Sequence, residues 1–313
     1  MFAHDFPFDP TYGYDLPALL KIAPPPEPPG FVDCWRDTYA QTRAVDPAVT
    51  LREVDGPPQV RVEEMEYSSL GGFRVGGWLV RPRKGGVLRG LVVGHGYGGR
   101  AAPDLDPPVA HAAVLFPCAR GMNRSARPDL PATSAWHVIH GLKHRDTYIH
   151  RFCAADLWAA VSALQAAVPA VGPQVDYLGV SFGGGMGALA LPWEERFRRA
   201  YLEVPSFGHH PLRLTMECDG SGQAVRVYCR HHPEAAQVLA FFDAATATRY
   251  SRVPTLFGCA LFDPAVPPPG QFAVHNAHPG PKDLVIRQAG HFNYPQEAQD
   301  NQLIRHRVEA WLA

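Results

Sequence analysis

The sequence predicts an α/β fold, a mostly parallel central sheet covered by helices on both faces. Two observations carry that expectation. Runs such as "LRGLVVGHG", "HAAVLFP" and "VDYLGV" are apolar throughout and end at glycine, proline or polar residues, as strands buried on both faces require. Stretches with apolar residues at helical spacing lie between such runs, so strand and helix alternate and successive strands can run parallel.

The chain is read as one domain over residues 1–313, opening with an extension of helix and strand over residues 1–55. Within the extension, "IAPPPEPPG" (Ile22–Gly30) can be neither helix nor central strand, because proline fixes φ and lacks an amide hydrogen. In "FVDCWRDTYAQTRAV", Phe31, Trp35 and Tyr39 recur every four residues and predict a helix with one apolar face. The segment Val60–Pro82 alternates in the manner of strands and breaks at Gly71-Gly72, a hairpin signal.

"DTYIHRFCAADLWAAVSALQAAV" (Asp146–Val168) has helical spacing, with Asp146 as its candidate cap. After "VDYLGV" come a short helix stopped by Pro192, the strand "RAYLEV", and an irregular insert from Pro205 to about Tyr250 containing the helical stretch "PEAAQVLAFFDAA". An insert of that length is expected to cover a site or make a subunit contact. The strand "VPTLFGCAL", a helix, the strand "KDLVIRQ" and a final amphipathic helix to Leu312 complete the chain.

Charge and cysteine usage narrow the function classes. Lys+Arg number 29 and Asp+Glu 30, for a net charge of −1, so no basic field exists to hold a phosphate backbone and nucleic-acid binding is not expected. No segment is apolar for the width of a bilayer and the start lacks the pattern of a secretory signal, so a cytoplasmic protein without membrane contact is expected. The six cysteines are scattered without paired spacing, which fits reduced, mostly buried thiols.

Chemistry concentrates at "GVSFG". Ser181 follows a predicted strand and precedes a helix, and Gly179 and Gly183 meet the requirement of a nucleophile elbow for small neighbours two positions away. The pentapeptide alone leaves open a glycine-rich turn with a solvated serine. A serine hydroxyl needs a base, and of the 15 histidines His291 alone follows the last predicted strand and precedes the last helix, at the carboxyl edge where ligands bind in such sheets. Asp263 stands just past a strand end on that edge and can hold the imidazole, whereas Asp283 starts a strand and Asp243 belongs to the insert. Its competing use is as a turn former before Pro264. The order Ser181, Asp263, His291 is the one expected of an α/β-hydrolase. The backbone N–H groups of Phe182 and of Tyr97, in the loop "GHGYGG", are the candidate oxyanion donors.

Several segments together resemble the acetyl xylan esterase and cephalosporin-C deacetylase family, carbohydrate esterase family seven: "GGFRVGGWLVRP", "GHGYGG", "HVIHGLKHRDTYIHRFCAADLWAAVSAL", "GVSFGGG", "FDPAVPPPGQFAVHN" and "GHFNYPQEAQ". The resemblance implies a Ser-His-Asp esterase that removes acetyl groups from small esters such as acetylated xylo-oligosaccharides and cephalosporin C. It also implies a homo-oligomer, commonly a hexamer with inward-facing sites, and no cofactor. The chain departs from the family pattern at Phe182, where Gln is usual, at Met122-Asn123, and at Phe292, where Glu is usual. A backbone donor survives the change at Phe182, while the pocket becomes more apolar.

Other readings remain at this stage: another short-acyl ester or a lactone as substrate, or a hydrolase-like binding protein without catalysis. His137, His140 and His144 have helical spacing, but no carboxylate or cysteine pattern completes a metal site with them, and none is assigned. Arg120 and Asp146 are expected to brace loops around the pocket, and Trp136 and Tyr148 to be core or wall.

Overall fold

The computed structural model describes residues 2–313. Nine strands, β1 (Thr50–Val54), β2 (Val60–Ser69), β3 (Phe73–Pro82), β4 (Arg89–Gly94), β5 (Ala112–Pro117), β6 (Val175–Val180), β7 (Phe197–Glu203), β8 (Thr255–Ala260) and β9 (Lys282–Arg287), form one sheet. Its order is β1-β2-β3-β5-β4-β6-β7-β8-β9. From β5 to β9 every neighbouring pair is parallel, and the strands from β1 to β3 add an antiparallel edge. The β2–β3 hairpin pairs Ser69 with Phe73 and Val60 with Pro82. Its connection bends through Gly71 and Gly72 at φ 77° and 70°, a region that favours glycine.

Alternate residues of the central strands point to opposite faces, and each face has its own core. Val92, Leu115 and Tyr177 pack with Trp35, Trp158, Leu164 and Met186 on the side of the helices Phe31–Arg43, Ile149–Ala167 and Phe182–Ala190. Leu91, Val114 and Leu256 pack with Ile304, Val308 and Leu312 of the last helix, Glu297–Leu312, on the other side. β1 escapes the apolar pattern because it is the sheet's edge, with Thr50 to Glu53 exposed.

Three local expectations are corrected. The helix after residue 148 starts at Ile149, with Tyr148 at the N-cap position, and Asp146 does not cap it. The fully buried Tyr148 donates its hydroxyl to the Val138 carbonyl at 2.8 Å, and this anchor fixes where the helix begins. Asp146 stays outside, half exposed beside His144 at 3.4 Å, and so braces no part of the pocket. The insert is also more regular than expected. It contains the helices His210–Arg213, Gly220–His231, Ala235–Ala240 and Ala244–Thr248. The stretch read as one helix divides because the buried Asp243 leaves helical geometry to cap the next helix, accepting from the Thr246 amide at 2.9 Å.

Candidate active site

Ser181 occupies the turn between β6 and the helix Phe182–Ala190, at φ 55° and ψ −112°, outside the ordinary range for a residue with a side chain. Such a conformation costs about 1–3 kcal/mol and persists only where the surroundings impose it. Here its amide donates to the Glu203 carbonyl at 2.8 Å, and its carbonyl accepts from Gly185 at 2.9 Å and Ser206 at 3.1 Å. The turn also forces its flanks together. A Cβ on Gly179 would meet the Gly183 carbonyl oxygen, and one on Gly183 would lie 2.7 Å from the carbonyl carbon of Gly94. Both positions therefore demand glycine for steric reasons.

The three side chains expected at the carboxyl edge meet. His291 Nε2 lies 2.9 Å from Ser181 Oγ, and its Nδ1 lies 2.9 Å from Asp263 Oδ2 and 3.1 Å from Oδ1. Asp263 is fully buried beyond the end of β8, while the His291 side chain, beyond β9, is 30% exposed. The carboxylate is held from four directions. Oδ1 accepts from the Ala265 and Val266 amides, each at 2.9 Å, and Oδ2 accepts from Gln271 Nε2 at 3.0 Å as well as from the imidazole. Gln271 is itself locked, donating to the Val266 carbonyl at 2.7 Å and accepting from the Ala260 amide at 2.8 Å. Burial alone would push the His291 imidazolium towards deprotonation. The charge and hydrogen bond of Asp263, helped by Glu203, outweigh it, and the pKa rises above the ordinary imidazole value.

The amides of Tyr97 and Phe182 donate to no acceptor among the described residues. Phe182 opens its helix, so its amide also carries the positive end of the helix dipole. The loop bearing Tyr97 is stitched to that helix by the Gly183 amide, which donates to the His95 carbonyl at 2.9 Å. Asn123, one of the departures, closes the loop's far end by accepting from the Arg100 amide at 2.8 Å.

With this geometry established, comparison with known proteins assigns the lineage. A family model described as acetyl xylan esterase (AXE1) matches residues 20–310. The chain belongs to the acetyl xylan esterase family. It is a carboxylic ester hydrolase rather than a binding scaffold. Among solved structures, acetyl xylan esterase 1 from Thermoanaerobacterium sp. JW/SL YS485 superposes with a TM-score of 0.82 at 21% identity, covering 96% of this chain and 99% of that one. An acetyl xylan esterase from Paenibacillus sp. R4 does so with 0.82 at 20%, covering 94% and 99%. More distantly, a cold-adapted esterase from an Arctic intertidal metagenomic library gives 0.55 at 14%, covering 83% and 97%. These likenesses are of fold.

The ground under the esterase's serine is aromatic. The buried Phe182 ring lies 4.4 Å from that of Tyr97 and is met edge-on by His137 at 5.9 Å and Phe207 at 6.0 Å. Tyr97 is fixed through its hydroxyl, 3.3 Å from His137 Nδ1 and 3.1 Å from His150 Nε2. His137 Nε2 faces the Arg120 carbonyl at 2.9 Å and must donate there, so Nδ1 accepts from the tyrosine and His150 Nε2–H donates to it. Burial keeps both rings neutral, pushing His137 down to about 4 and His150 well below the ordinary range. These histidines brace the loop of Tyr97, and among the described residues no three His, Cys, Asp or Glu side chains form a metal-binding group.

Other expectations divide. Arg120 does brace: it forms a buried pair with Asp156, its Nε and Nη2 both 2.8 Å from carboxylate oxygens, and also donates to the Leu70 carbonyl at 2.8 Å. Trp136 is not core. It is 67% exposed and walls a surface cavity of about 630 Å³ between the helix Ser134–His137 and the insert helix Gly220–His231. Phe292 turns from the site into an aromatic cluster with Phe262 at 4.9 Å and Phe2 at 5.6 Å. No sequence signal marked Gln271 or His150 for these roles, and Asn123 stood out only as a departure from the family pattern, since each role depends on contacts that the fold makes.

Proposed function

We propose that Ser181 is the nucleophile, His291 the general base and Asp263 the carboxylate that orients and charges it, in the hydrolysis of small acetyl esters. The observation that carries the reading is the single imidazole in hydrogen-bond contact with both the serine hydroxyl and the buried carboxylate. In the forward step, Oγ attacks the ester carbonyl carbon as Nε2 takes its proton, and the carbonyl oxygen becomes an oxyanion facing the amides of Tyr97 and Phe182. Collapse expels the alcohol, which recovers the proton from Nε2. Water then repeats the sequence on the acetyl-serine, releasing acetate. The raised pKa of His291 suits the imidazolium that forms in each half-reaction.

The sequence resemblance supports acetylated xylo-oligosaccharides or cephalosporin-like acetates as substrates, and a hexamer of a single-domain chain. Another short-acyl ester or a lactone would use the same machinery. All six cysteines are free thiols, which supports a cytoplasmic location, and among the described residues no helix is long and apolar enough to cross a membrane. Labelling with a fluorophosphonate tests the serine: wild type is expected to be modified at Ser181 and to lose turnover of 4-nitrophenyl acetate in proportion. Modification elsewhere, or turnover surviving full labelling, would refute the assignment.

A further inference from the structure

Apolar side chains beside Asp263 and His291 belong to neither of the sheet's two cores. Phe262, Ala289 and Tyr294, each within three residues of one or the other, form a small third core, with Phe2, Phe6 and Phe292 packed against it. Two of those six side chains come from the start of the chain. Residues 2–12 make an extended arm, ahead of residues 20–310 that the family model matches. Its principal partner, Phe292, is one of the departures from the family pattern.

The arm alternates along its length. Phe2, His4, Phe6 and Phe8 are half-buried while Ala3, Asp5, Pro7 and Asp9 are exposed, as an extended segment laid on a surface requires. Phe2 meets Phe262 at 5.2 Å, Tyr294 at 5.4 Å and Phe292 at 5.6 Å, and Phe6 meets Phe292 at 6.1 Å and stacks on Phe8 at 5.6 Å. Such ring pairs add to the gain from burial. The arm's backbone then reaches the proposed site itself. The buried Pro10 carbonyl accepts from the amide of Asp263 at 3.1 Å. Just beyond, Asp9 closes a turn by accepting from the Thr11 amide at 2.9 Å, and Tyr12 donates its hydroxyl to the Glu217 carbonyl of the insert at 2.7 Å. The arm is therefore fastened at both ends, across the loops that hold Asp263 and His291.

His291 has need of such support. It sits at φ 47°, in the left-handed region that costs a residue with a side chain. Before it, the Gly290 amide donates to the Phe262 carbonyl at 2.8 Å, and a Cβ on Gly290 would collide with Asp263 Oδ2. Loops fitted this closely pass any shift of the third core on to the imidazole. We propose that the arm is a positioning element: by closing the third core it keeps the loops of Asp263 and His291 in register, so that one imidazole reaches both carboxylate and serine. This rests on the roles proposed above for Ser181, Asp263 and His291, and adds Phe2, Phe6 and Phe292 as positioning residues.

The test is the full-length double variant Phe2→Ala/Phe6→Ala acting on 4-nitrophenyl acetate. A displaced base is expected to lower kcat about ten- to a hundredfold while KM changes little. The acid limb of kcat/KM is the second readout. Against the downward push of burial, Asp263 does most to raise the pKa of His291, with Glu203 adding to it and Arg287 opposing. An imidazole that drifts from Asp263 loses that support, so the limb is expected to move down towards the ordinary value of about 6.5. Phe2→Leu/Phe6→Leu refills most of the third core and is expected to restore both kcat and the limb. Either readout left at its wild-type value in the alanine variant overturns the proposal, whatever the loss of stability in urea. If that variant does not fold, Phe2→Ala alone decides by the same two readouts. Ser181→Ala separates the two ideas: retained turnover sinks the nucleophile assignment, whereas lost turnover beside an unaltered arm variant sinks only the role of the arm.

Discussion

Two buried carboxylates in this esterase have opposite fates. Asp156 is sealed beneath the sheet's antiparallel edge, gripped by the permanently charged Arg120, with Ser69 3.3 Å from the same guanidinium. Asp263 is at least as buried, yet its donors are two amides, one glutamine and an imidazole whose side chain is 30% exposed. The first network can do nothing but hold, because both partners are sealed from solvent and bonded to each other. The second contains one group that can gain and lose a proton and one route to solvent, and both meet at the strained serine. Burial of charge by itself therefore does not mark the proposed site. What marks it is a titratable partner at the boundary.

Substitutions can break this contrast from either end. The largest expected effect is on chemistry: Ser181→Ala or Asp263→Asn lowers kcat on 4-nitrophenyl acetate by about 10⁴-fold or more, with the Ser181→Ala melting curve unchanged within a few degrees. Asp263→Asn adds a directional readout. Without the carboxylate's charge, burial dominates His291, so whatever activity remains has its acid limb moved to lower pH. In wild type that limb lies above the ordinary imidazole pKa of about 6.5, since activity requires neutral His291 and its pKa is raised. An acid limb at or below that value in wild type, measured as kcat/KM against pH, would contradict the coupling. The stability sign is opposite to the activity sign. A raised folded pKa adds stability that is complete below the unfolded pKa and is lost as pH rises through the folded value.

At the sealed network the expected loss is of fold. Arg120→Met strands Asp156 and is expected to cost about 3–5 kcal/mol in urea unfolding, while the molecules that remain folded keep their kcat. Should kcat fall as steeply as stability, the two networks would not be separable. The smallest expected effect sharpens the boundary between them. Gln271→Val removes one of the four hydrogen bonds on Asp263 and orphans the Ala260 amide, for about 1–3 kcal/mol of stability. Because the carboxylate then shares less of its charge, the acid limb of kcat/KM should move to higher pH. A merely structural Gln271 would leave the limb in place.

The legibility of the molecule follows the range of the forces involved. Continuous apolar runs could be read as β4, β5, β6 and β8 because burial on both faces leaves a mark in consecutive residues. The edge strand β1, with Thr50 to Glu53 exposed, left none. The insert's helices were harder because their boundaries depend on Asp243, a cap chosen by a buried contact with the His210 amide at 2.6 Å. Among candidate site residues, Ser181, Asp263 and His291 could be named because steric demand at Gly179 and Gly183 and the positions of strand ends are local facts. Gln271 and the hydroxyl clamp on Tyr97 have no local signature.

From the chain alone, then, come the layered class, the elbow with its obligatory glycines, and the edge on which a base and an acid could gather. Each is set by neighbours a few positions apart, through φ restriction and the periodicity of burial. Tertiary structure decided which polar groups found partners. It paired Arg120 with Asp156, clamped the Tyr97 hydroxyl between His137 and His150, and opened a cavity beside Trp136. Desolvation and hydrogen bonding act across space between segments that the chain order keeps far apart, so only the folded arrangement could settle them.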